Sequence, residues 1–303
     1  MTPIVGSWGS GGSVGPAISR RAFLRGALGV GLVAGYPFAL ERYLVSVNHY
    51  EVPIDGLPAA FEGFRIVHLT DLHYGSLVPL SWLSRVLDQA LREDGDLIVL
   101  TGDYVHARDT RAELEAVWPE LLRLDARHGV RMVLGNHDHW ADSDLALSLL
   151  SESGRSLRNR SRVLRLDGAE LAIAGVGDYW EDEVAIDLAL AGVDPSTPRI
   201  VLAHNPDCAD LEYESRVDLF VCGHTHGGQV RVPFVGSPIL PVSNHRYDQG
   251  LRESGHEGGR EGGRSQVFVS RGIGWAVIPV RFNCPPEIAV LHLTGGLGRT
   301  RGS

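Results

Sequence analysis

Five short apolar runs, each followed within two residues by Asp, Asn or His, limit the fold of this sequence more than any other feature. The length of these runs predicts buried strands, and helical spacings of Leu and Val lie between several of them. Alternation of strands and helices predicts an α/β fold. In such sheets, ligand sites are built at the carboxyl ends of strands. The polar clusters at these ends are Asp71-Leu72-His73, Gly102-Asp103, Gly135-Asn136-His137-Asp138, His204-Asn205 and Gly223-His224-Thr225-His226.

The predicted elements alternate along the chain and end in a strand-rich tail. Strands are predicted at 65–70, 96–101, 130–134, 199–203 and 219–222, and helices at 79–92, 110–126, 145–153 and 183–191. A hairpin is predicted around Asp167-Gly168. Two late strands, 266–270 and 288–293, are predicted to be antiparallel, and the polar stretch 251–264 to be a mobile loop. This pattern favours a sandwich of mixed central sheets.

The polar clusters point to metal chemistry if the sheet brings them together. Three carboxylate or amide oxygens would then meet four or more imidazoles, a ligand set that suits a pair of divalent ions such as Mn, Fe or Zn. Gly102, Gly135 and Gly223 are expected to let the backbone turn sharply just before a ligand. A lone Gly-Asp is usually an ordinary turn, but all five clusters in this order are hard to obtain by chance.

Charge and cysteine content exclude other classes. The formal net charge is −9, and no basic, aromatic-rich stripe is present, so nucleic acid is not an expected partner. The three cysteines show no C-x-x-C spacing. A disulfide framework and a zinc–thiolate site are therefore disfavoured.

The composition of the N-terminus is typical of a targeting segment and not of a folded domain. Residues 1–18 are rich in Gly, Ser and Pro and are predicted to be disordered. In residues 19–42, Arg20-Arg21 precedes an apolar, glycine-containing stretch, which resembles a twin-arginine (Tat) export signal. A cleaved signal and a retained membrane anchor both remain open. We expect export by the Tat machinery and a membrane-associated domain, 43–303 with a core at 64–293, on the extracytoplasmic face of the cell envelope.

The order D-x-H, G-D, G-N-H-D, H and G-H-x-H resembles that of the calcineurin-like metallophosphoesterases, from about Phe64 to Leu293. Further segments are similar to a bacterial, Tat-exported, membrane-associated branch: "HLTDLHYG" at 68–75, "LAHNPD" at 202–207, "GHTHGGQV" at 223–230, "SRGIG" at 270–274 and "PPEIAVLHL" at 285–293. The resemblance implies a metallophosphoesterase-type β-sandwich of mixed sheets flanked by helices, in four αββα layers.

The resemblance also implies seven ligands for two divalent metal ions. Asp71, His73 and His226 would hold the first ion, Asn136, His204 and His224 the second, and Asp103 would bridge the two. His137 would not ligate but would face the substrate as a hydrogen-bond or proton donor. Asp138 would orient it.

The implied activity is two-metal hydrolysis of a phosphoester bond by a hydroxide that the two ions share. Together with the apolar N-terminus, it predicts as substrate a phosphodiester or pyrophosphate of a lipid or envelope precursor near a membrane surface. The alternatives are a phosphomonoesterase that acts on nucleotides or phosphoproteins and a non-catalytic metal-binding module. The intact ligand set argues against the second alternative.

Several other residues carry weaker signals. His68 lies inside a predicted strand and is expected in the core. His106, His139, Trp140 and the stretch 178–180 could line a pocket. Two further residues are expected either to meet a phosphate or to form surface salt bridges: Arg271 and Arg281.

Overall fold

The computed structural model describes residues 21, 35–75, 77–255 and 264–296. The predicted disordered segment 1–18 lies outside the described residues, as does most of the predicted signal 19–42. Residues 35–39 of that signal are helical. Across the described ranges, no helix is both long and apolar enough to cross a membrane.

Two mixed sheets form the centre of the molecule. The first sheet has the strand order β1-β11-β2-β3-β4, with β1 at Ser46–Ile54, β2 at Arg65–Leu69, β3 at Leu97–Thr101, β4 at Val130–Val133 and β11 at Glu287–Gly295. Its strands β2, β3 and β4 are parallel, whereas β11 runs antiparallel to β2 and parallel to β1. The carboxyl ends of β2, β3 and β4 therefore lie at the same edge.

The second sheet has the order β5-β6-β7-β8-β10-β9. Its strands are β5 at Arg160–Leu166, β6 at Ala169–Gly175, β7 at Arg199–Leu202, β8 at Leu219–Cys222, β9 at Gly250–Glu253 and β10 at Gln266–Val269. β5 and β6 form the predicted hairpin, and β6, β7, β8 and β10 are parallel. The carboxyl ends of β7 and β8 thus also share one edge.

Four α-helices of the described chain flank the sheets: α1 at Leu80–Arg92, α2 at Arg111–Leu122, α3 at Asn136–Glu152 and α4 at Ile186–Ala189. The first three pack on the outer face of the first sheet, where Leu83 of α1 and Val117 of α2 meet Leu100 of β3. The short α4 packs on the outer face of the second sheet with Phe220.

The inner strands β3, β7 and β8 are largely apolar because both of their faces are buried. Successive side chains of a strand point to opposite faces. In β3, Ile98 and Leu100 face the helices, whereas Leu97 and Val99 face the second sheet and join one core with Val221 of β8. The predicted α/β arrangement of two mixed sheets between helices, in four layers, is confirmed.

Some predicted elements differ from the structure. β1 lies before the predicted core of 64–293. The start of the predicted loop 251–264 belongs to β9. Residues 256–263 of that loop lie outside the described residues. The late strands are antiparallel on one side only, because β10 is parallel to β8 and β11 is parallel to β1. The helix predicted at 145–153 begins at Asn136 instead, with a non-helical Asp142 inside it. The helices predicted at 110–126 and 183–191 are the shorter α2 and α4.

Candidate metal centre

The ends of the two sheets meet at the predicted metal site. The loop after β3 and the loop after β7 are joined by His204, whose Nδ1–H donates to the carbonyl oxygen of Thr101 at 2.7 Å. The backbone of the loop after β8 reaches the loop after β2, since the N–H of His224 donates to the Asp71 carboxylate at 3.0 Å. Polar clusters that are far apart in sequence therefore converge in one buried place.

A first group of ligand atoms comes from the loops after β2 and β8. The Nε2 atoms of His73 and His226 lie 2.9 Å apart, and Asp71 Oδ1 lies 3.3 Å from the Nε2 of His226. All three side chains are buried. Their candidate ligand atoms all lie within 4.8 Å of one another, which is the arrangement of a cation site and not of a hydrophobic core.

A second group comes from the loops after β3, β7 and β8. The ligand atoms of Asp103, His204 and His224 all lie within 4.8 Å of one another. Asp103 Oδ2 is 3.2 Å from His204 Nε2 and 3.5 Å from His73 Nε2, so this carboxylate lies between the two groups. That position matches the bridging role that the resemblance implies for Asp103.

Asn136 supplies an independent sign that a cation belongs here. Its side chain is buried, and its Oδ1 has no hydrogen-bond partner among the described residues. A buried amide oxygen without a partner is costly and rare in a folded protein. A divalent cation would satisfy this oxygen, so the donor set of carboxylates, imidazoles and one amide fits the implied pair of ions.

Hydrogen bonds to the second ring nitrogen orient three of the imidazoles. His204 gives Nδ1–H to Thr101, and His224 gives Nε2–H to the carbonyl oxygen of Pro241 at 3.0 Å. Arg281 donates from Nη2 to the Nδ1 of His226 at 3.2 Å. The bonds of His204 and His224 leave the other ring nitrogen free to face the centre, as is common for metal-binding histidines. The Arg281 contact only fixes the orientation of the His226 ring, because a donor at Nδ1 places the proton of the neutral ring on Nε2, from which it would have to leave when an ion binds.

Five of the seven predicted ligands have the left-handed backbone conformation. Such φ values are uncommon for residues other than glycine and cost on the order of 1–3 kcal/mol each where they are strained. The residues and their φ angles are Asp71 at 54°, His73 at 46°, Asp103 at 54°, His224 at 69° and His226 at 52°. Tight turns at the strand ends thus aim these side chains into the centre.

The three glycines of the motifs serve two purposes. Gly102 has a φ of +92°, as the sequence-based prediction of a sharp turn requires. Gly223 and Gly135 lack positive φ, and their role is close approach: a Cβ would lie 2.3 Å from Asp71 Oδ2 at Gly223, and 2.3 Å from Asp103 Oδ1 at Gly135. At these two positions, any side chain would displace a predicted ligand.

Asp138 holds backbone rather than the ring of His137. Its buried carboxylate accepts the N–H groups of Asp103 at 2.9 Å, Tyr104 at 2.8 Å and Gly135 at 3.0 Å. The Nδ1–H of His137 instead donates to the carbonyl oxygen of His106 at 2.7 Å. Asp138 thus differs from the expected orienter of His137, and it positions the loops that carry the ligands.

His137 and His106 lie beside the first ligand group. The ring centroids of His73 and His137 are 4.7 Å apart, and His106 stacks on His137 with centroids 5.4 Å apart. His106 also places its Nδ1 3.4 Å from the Nδ1 of His73. His106 carries only a weak signal in the sequence, because its distance from the Gly-Asp motif says nothing about where its ring lies.

Burial governs the charge of these imidazoles. It lowers the pKa of His73 and His226 well below the ordinary value, and that of His224 to about 3. Burial also opposes the charged form of His204, but the adjacent Asp103 carboxylate outweighs it and raises the pKa of His204 to about 10. Burial would likewise raise the pKa of Asp103, yet His204 keeps it well below its usual range. Neutral imidazoles and an ionised carboxylate are the forms that bind metals, so His73, His224, His226 and Asp103 already have the charge state required. His204 is protonated without an ion and would have to release a proton when a metal binds.

An aromatic wall borders the centre on one side. Trp140 packs against His137 with ring centroids 4.7 Å apart, and Trp180 packs against His224 at 4.5 Å. The two indoles stack on each other at 6.1 Å, and Arg108 lies over Trp140 at 3.8 Å. Trp180 is 47% exposed. We call Trp140 and Trp180 the tryptophan wall.

The two arginines with a weak phosphate signal are both engaged elsewhere. Arg281 is fully buried and donates to backbone carbonyl oxygens, including those of Arg271 at 2.7 Å and Gly272 at 3.2 Å. Arg271 pairs with Glu287 at 3.2 Å. Arg281 is therefore not the surface salt-bridge residue that its sequence position suggested. Its hydrogen bonds to backbone carbonyl oxygens hold the neighbouring loop, residues 271–272, in place beside His226.

Fold and site together define a metal-dependent hydrolase of phosphoester bonds. A family model described as calcineurin-like phosphoesterase matches residues 64–228. The chain belongs to this family, which uses a centre of two divalent metal ions.

Known relatives cover most of the chain. An uncharacterized metallophosphoesterase of Bacillus subtilis, YkuE, is 33% identical over 91% of this chain and 98% of its own length. The phosphodiesterase YaeI of Escherichia coli is 34% identical over 76% of this chain and 82% of its own length. A transmembrane protein with a metallophosphoesterase domain from Danio rerio is 31% identical over 80% of this chain and 56% of its own length.

Proposed function

We propose that this chain hydrolyses a phosphodiester or a pyrophosphate carried by a lipid or another envelope precursor. The observation that carries the proposal is the position of the tryptophan wall. It contacts both His137 and His224, so a second organic substituent of a phosphate has an aromatic surface to rest on beside the predicted metal ligands. The E. coli relative, named a phosphodiesterase, supports the preference for diesters.

The predicted ligands would hold two divalent ions, with Asp103 between them. When bound, such ions would activate water near neutral pH and offset the negative charge of the phosphoryl oxygens. His137 would act on the leaving group. Its Nδ1–H is held by the His106 carbonyl at 2.7 Å, so in the imidazolium form the second proton would stand on Nε2. That proton would pass to the leaving oxygen and leave a neutral His137. A positioned acid of this kind is worth roughly 10²–10⁴-fold in rate.

We also propose that residues 19–42 act as a twin-arginine export signal or retained anchor. The domain would then work on the extracytoplasmic side of a membrane, close to lipid-borne substrates. The twin arginine before the apolar stretch supports this placement, and so does the transmembrane relative from Danio rerio.

The test compares a diester with a monoester. The purified full chain is loaded with Mn²⁺ and assayed on bis-p-nitrophenyl phosphate and on p-nitrophenyl phosphate, with Asp103→Asn and a chelator as controls. We expect faster hydrolysis of the diester, lost in the variant and after chelation. A preference for the monoester would point to the alternative phosphomonoesterase. Two bound metals without hydrolysis of either compound would favour a metal-binding module.

A second assay addresses the substrate class. The anchored form is incubated with a lipid diphosphate in mixed micelles, and release of phosphate is followed. Hydrolysis that requires Asp103 would support an envelope substrate. Activity on bis-p-nitrophenyl phosphate with no release from a panel of lipid phosphates would rule the lipid class out.

A further inference from the structure

Two loops next to the metal centre expose large apolar side chains. In the loop after the Gly-His-x-His motif, Phe234 is fully exposed, Val235 is 74% exposed and Ile239 is 78% exposed. In the loop before β11, Val277 is 86% exposed. We call residues 232–239 and 277–278 together the apolar rim. A cluster of exposed apolar side chains commonly marks an interaction surface.

Backbone hydrogen bonds make the two loops one surface. The N–H of Arg231 donates to the carbonyl oxygen of Phe282 at 2.9 Å, and the N–H of Phe282 donates to Gln229 at 2.8 Å. The Gln229 side chain adds a bond from Nε2 to the carbonyl oxygen of Ala276 at 2.8 Å. The rim is therefore a connected surface and not two separate flexible tips.

The rim also lacks acidic residues. The chain contains 37 Asp and Glu residues, yet none lies in 229–241 or in 275–283. Both stretches carry one arginine each, and neither is free: Arg231 pairs with Asp248 at 2.8 Å, and Arg281 is buried. An ordinary water-exposed surface mixes charges of both signs. The composition of this surface is instead typical of a surface that becomes buried against an apolar partner.

The apolar N-terminal stretch joins the domain beside the rim. The N–H of Arg281 donates to the carbonyl oxygen of Pro37 at 3.1 Å, and the N–H of Cys284 donates to Glu41 at 2.8 Å. Phe38 and Leu40 are more than half exposed on this side. The described end of the apolar stretch 26–40, residues 35–40, thus lies against the domain where the rim lies.

We propose that the apolar rim inserts into the interfacial layer of a lipid bilayer. Continuity with the apolar N-terminal stretch favours a bilayer over a protein partner. At the base of the rim, Arg42 lies over the rings of Tyr43 and Trp275, at 4.7 Å and 4.8 Å from their centroids. Trp275 is buried, whereas Arg42 and Tyr43 are partly exposed. Arginine stems and tyrosine rings are suited to the boundary between lipid and water. Apolar side chains on a surface bind bilayers in proportion to the apolar area that they bury.

Insertion would place the metal centre at the membrane surface. The loop of 229–241 is bonded to predicted ligands at both ends, through His226, whose carbonyl accepts from Gln229 at 3.0 Å, and through His224, which donates to Pro241 at 3.0 Å. A phosphate at headgroup depth would then lie near the ligands. This consequence for lipid substrates rests on the proposed function, whereas insertion itself does not.

The test measures whether one rim residue of the full chain is in contact with lipid or with water. Phe234→Cys is labelled with an environment-sensitive fluorophore, which is selective because the three native cysteines are buried. The protein is reconstituted in phosphatidylethanolamine–phosphatidylglycerol vesicles. Quenching is measured with a spin-labelled phospholipid and with aqueous iodide. Leu188→Cys is the matched control, since Leu188 is a 61% exposed apolar residue on α4, which packs on β5 and β6.

We expect the lipid quencher to act on the label at position 234 and not on the label at 188. Iodide quenching of both labels to the same extent would overturn the proposal, because the rim would then lie in water. A label at 234 protected from both quenchers would overturn it too, since another part of this chain or a second copy would cover the rim.

The same preparation separates this proposal from the proposed function. Phe234 lies outside the predicted catalytic machinery, so hydrolysis of bis-p-nitrophenyl phosphate by the Phe234→Cys protein reports on activity independently. Lipid quenching without any hydrolysis would contradict only the proposed function. Hydrolysis without lipid quenching would contradict only the proposal that the rim inserts into a bilayer.

Discussion

The carboxylate of Asp138 accepts the backbone N–H of Asp103 at 2.9 Å and thereby ties the first turn of α3 to the loop after β3. The same carboxylate holds the N–H groups of Tyr104 and Gly135. Asp103 and Asn136, two predicted ligands, stand on the loops that these bonds connect. Asp138 is therefore a positioning residue whose effect should appear in metal binding before it appears in chemistry.

Replacement Asp138→Asn should weaken metal binding by about ten- to hundredfold, the usual cost of losing a group that supports metal ligands. The amide keeps the size of the carboxylate but loses its charge and one acceptor oxygen. Four backbone N–H groups, including that of Val105 at 3.3 Å, then compete for a weaker partner. Calorimetric titration of the metal-free protein with Mn²⁺ measures the change.

The matched control for that substitution is Asp144→Asn, which changes an aspartate farther along the same helix. It should leave the affinity for Mn²⁺ as in the native chain. Equal affinities for Mn²⁺ in the native chain and in Asp138→Asn would contradict the positioning role.

Loss of the amide oxygen at Asn136 should reduce metal content rather than abolish folding. Asn136→Ala removes a buried oxygen that has no hydrogen-bond partner among the described residues, so loss of this oxygen breaks no hydrogen bond there. We expect the native chain to retain two divalent ions after dialysis and the variant to retain about one, because the second predicted site loses a ligand. Elemental analysis per mole of protein gives the ratio.

Asn48→Ala is the control for this measurement. Asn48 is a partly buried asparagine on β1 that bonds Ser46 and Glu287 and lies away from the ligand loops. An unchanged two-ion content in Asn136→Ala would show that this oxygen is not a ligand.

The sequence was sufficient to predict which loops lie at the ends of strands and therefore which of them converge within one sheet. Each ligand cluster directly follows an apolar run, and parallel strands of one sheet must end at the same edge, so position in sequence translated into position in space. This reasoning works for Asp71 and Asp103, which stand at ends of neighbouring strands of the first sheet. His204 follows β7 of the second sheet, and only the structure shows that the edges of the two sheets meet.

Other features had no such signal. β1 was missed because Asn48, His49 and Glu51 interrupt its apolar pattern, as an edge strand allows. Arg281 reads as a surface residue in sequence, and only the surrounding carbonyl groups reveal why it is buried. The early start of α3 was missed because buried polar residues of the metal motif occupy its first turn, where apolar periodicity is absent.

His68 should make the stability of the metal-free protein depend on pH. It is fully buried, its Nε2 lies 2.8 Å from the hydroxyl of Thr101, and burial lowers its pKa to about 3. In the unfolded chain its pKa returns to about 6.5. Between these values the unfolded state binds more protons, so this contribution is present above pH 6.5 and is lost as the pH falls. The free energy of unfolding should drop by about 1.4 kcal/mol per pH unit on account of His68.

Denaturant titrations between pH 6.5 and 4.5 test this dependence. His68→Gln should be less stable than the native chain near neutral pH but should show a pH slope that is shallower by nearly one proton. His128→Gln, which changes a partly exposed histidine, is the control. Parallel pH slopes for the native chain and His68→Gln would refute the assignment.

The tryptophan wall should distinguish diesters from monoesters. Trp180→Ala removes the exposed member of the pair, on which the second ring of bis-p-nitrophenyl phosphate would stack. An aromatic contact of this kind is worth about 0.5–1.5 kcal/mol, so the KM for the diester should rise roughly two- to tenfold. The KM for p-nitrophenyl phosphate should stay nearly the same, because its single ring belongs to the leaving group. Trp180→Phe should keep most of the diester affinity, and Leu188→Ala should change neither value. A proportional rise of both KM values in Trp180→Ala would mean that the wall supports His224 and does not bind substrate.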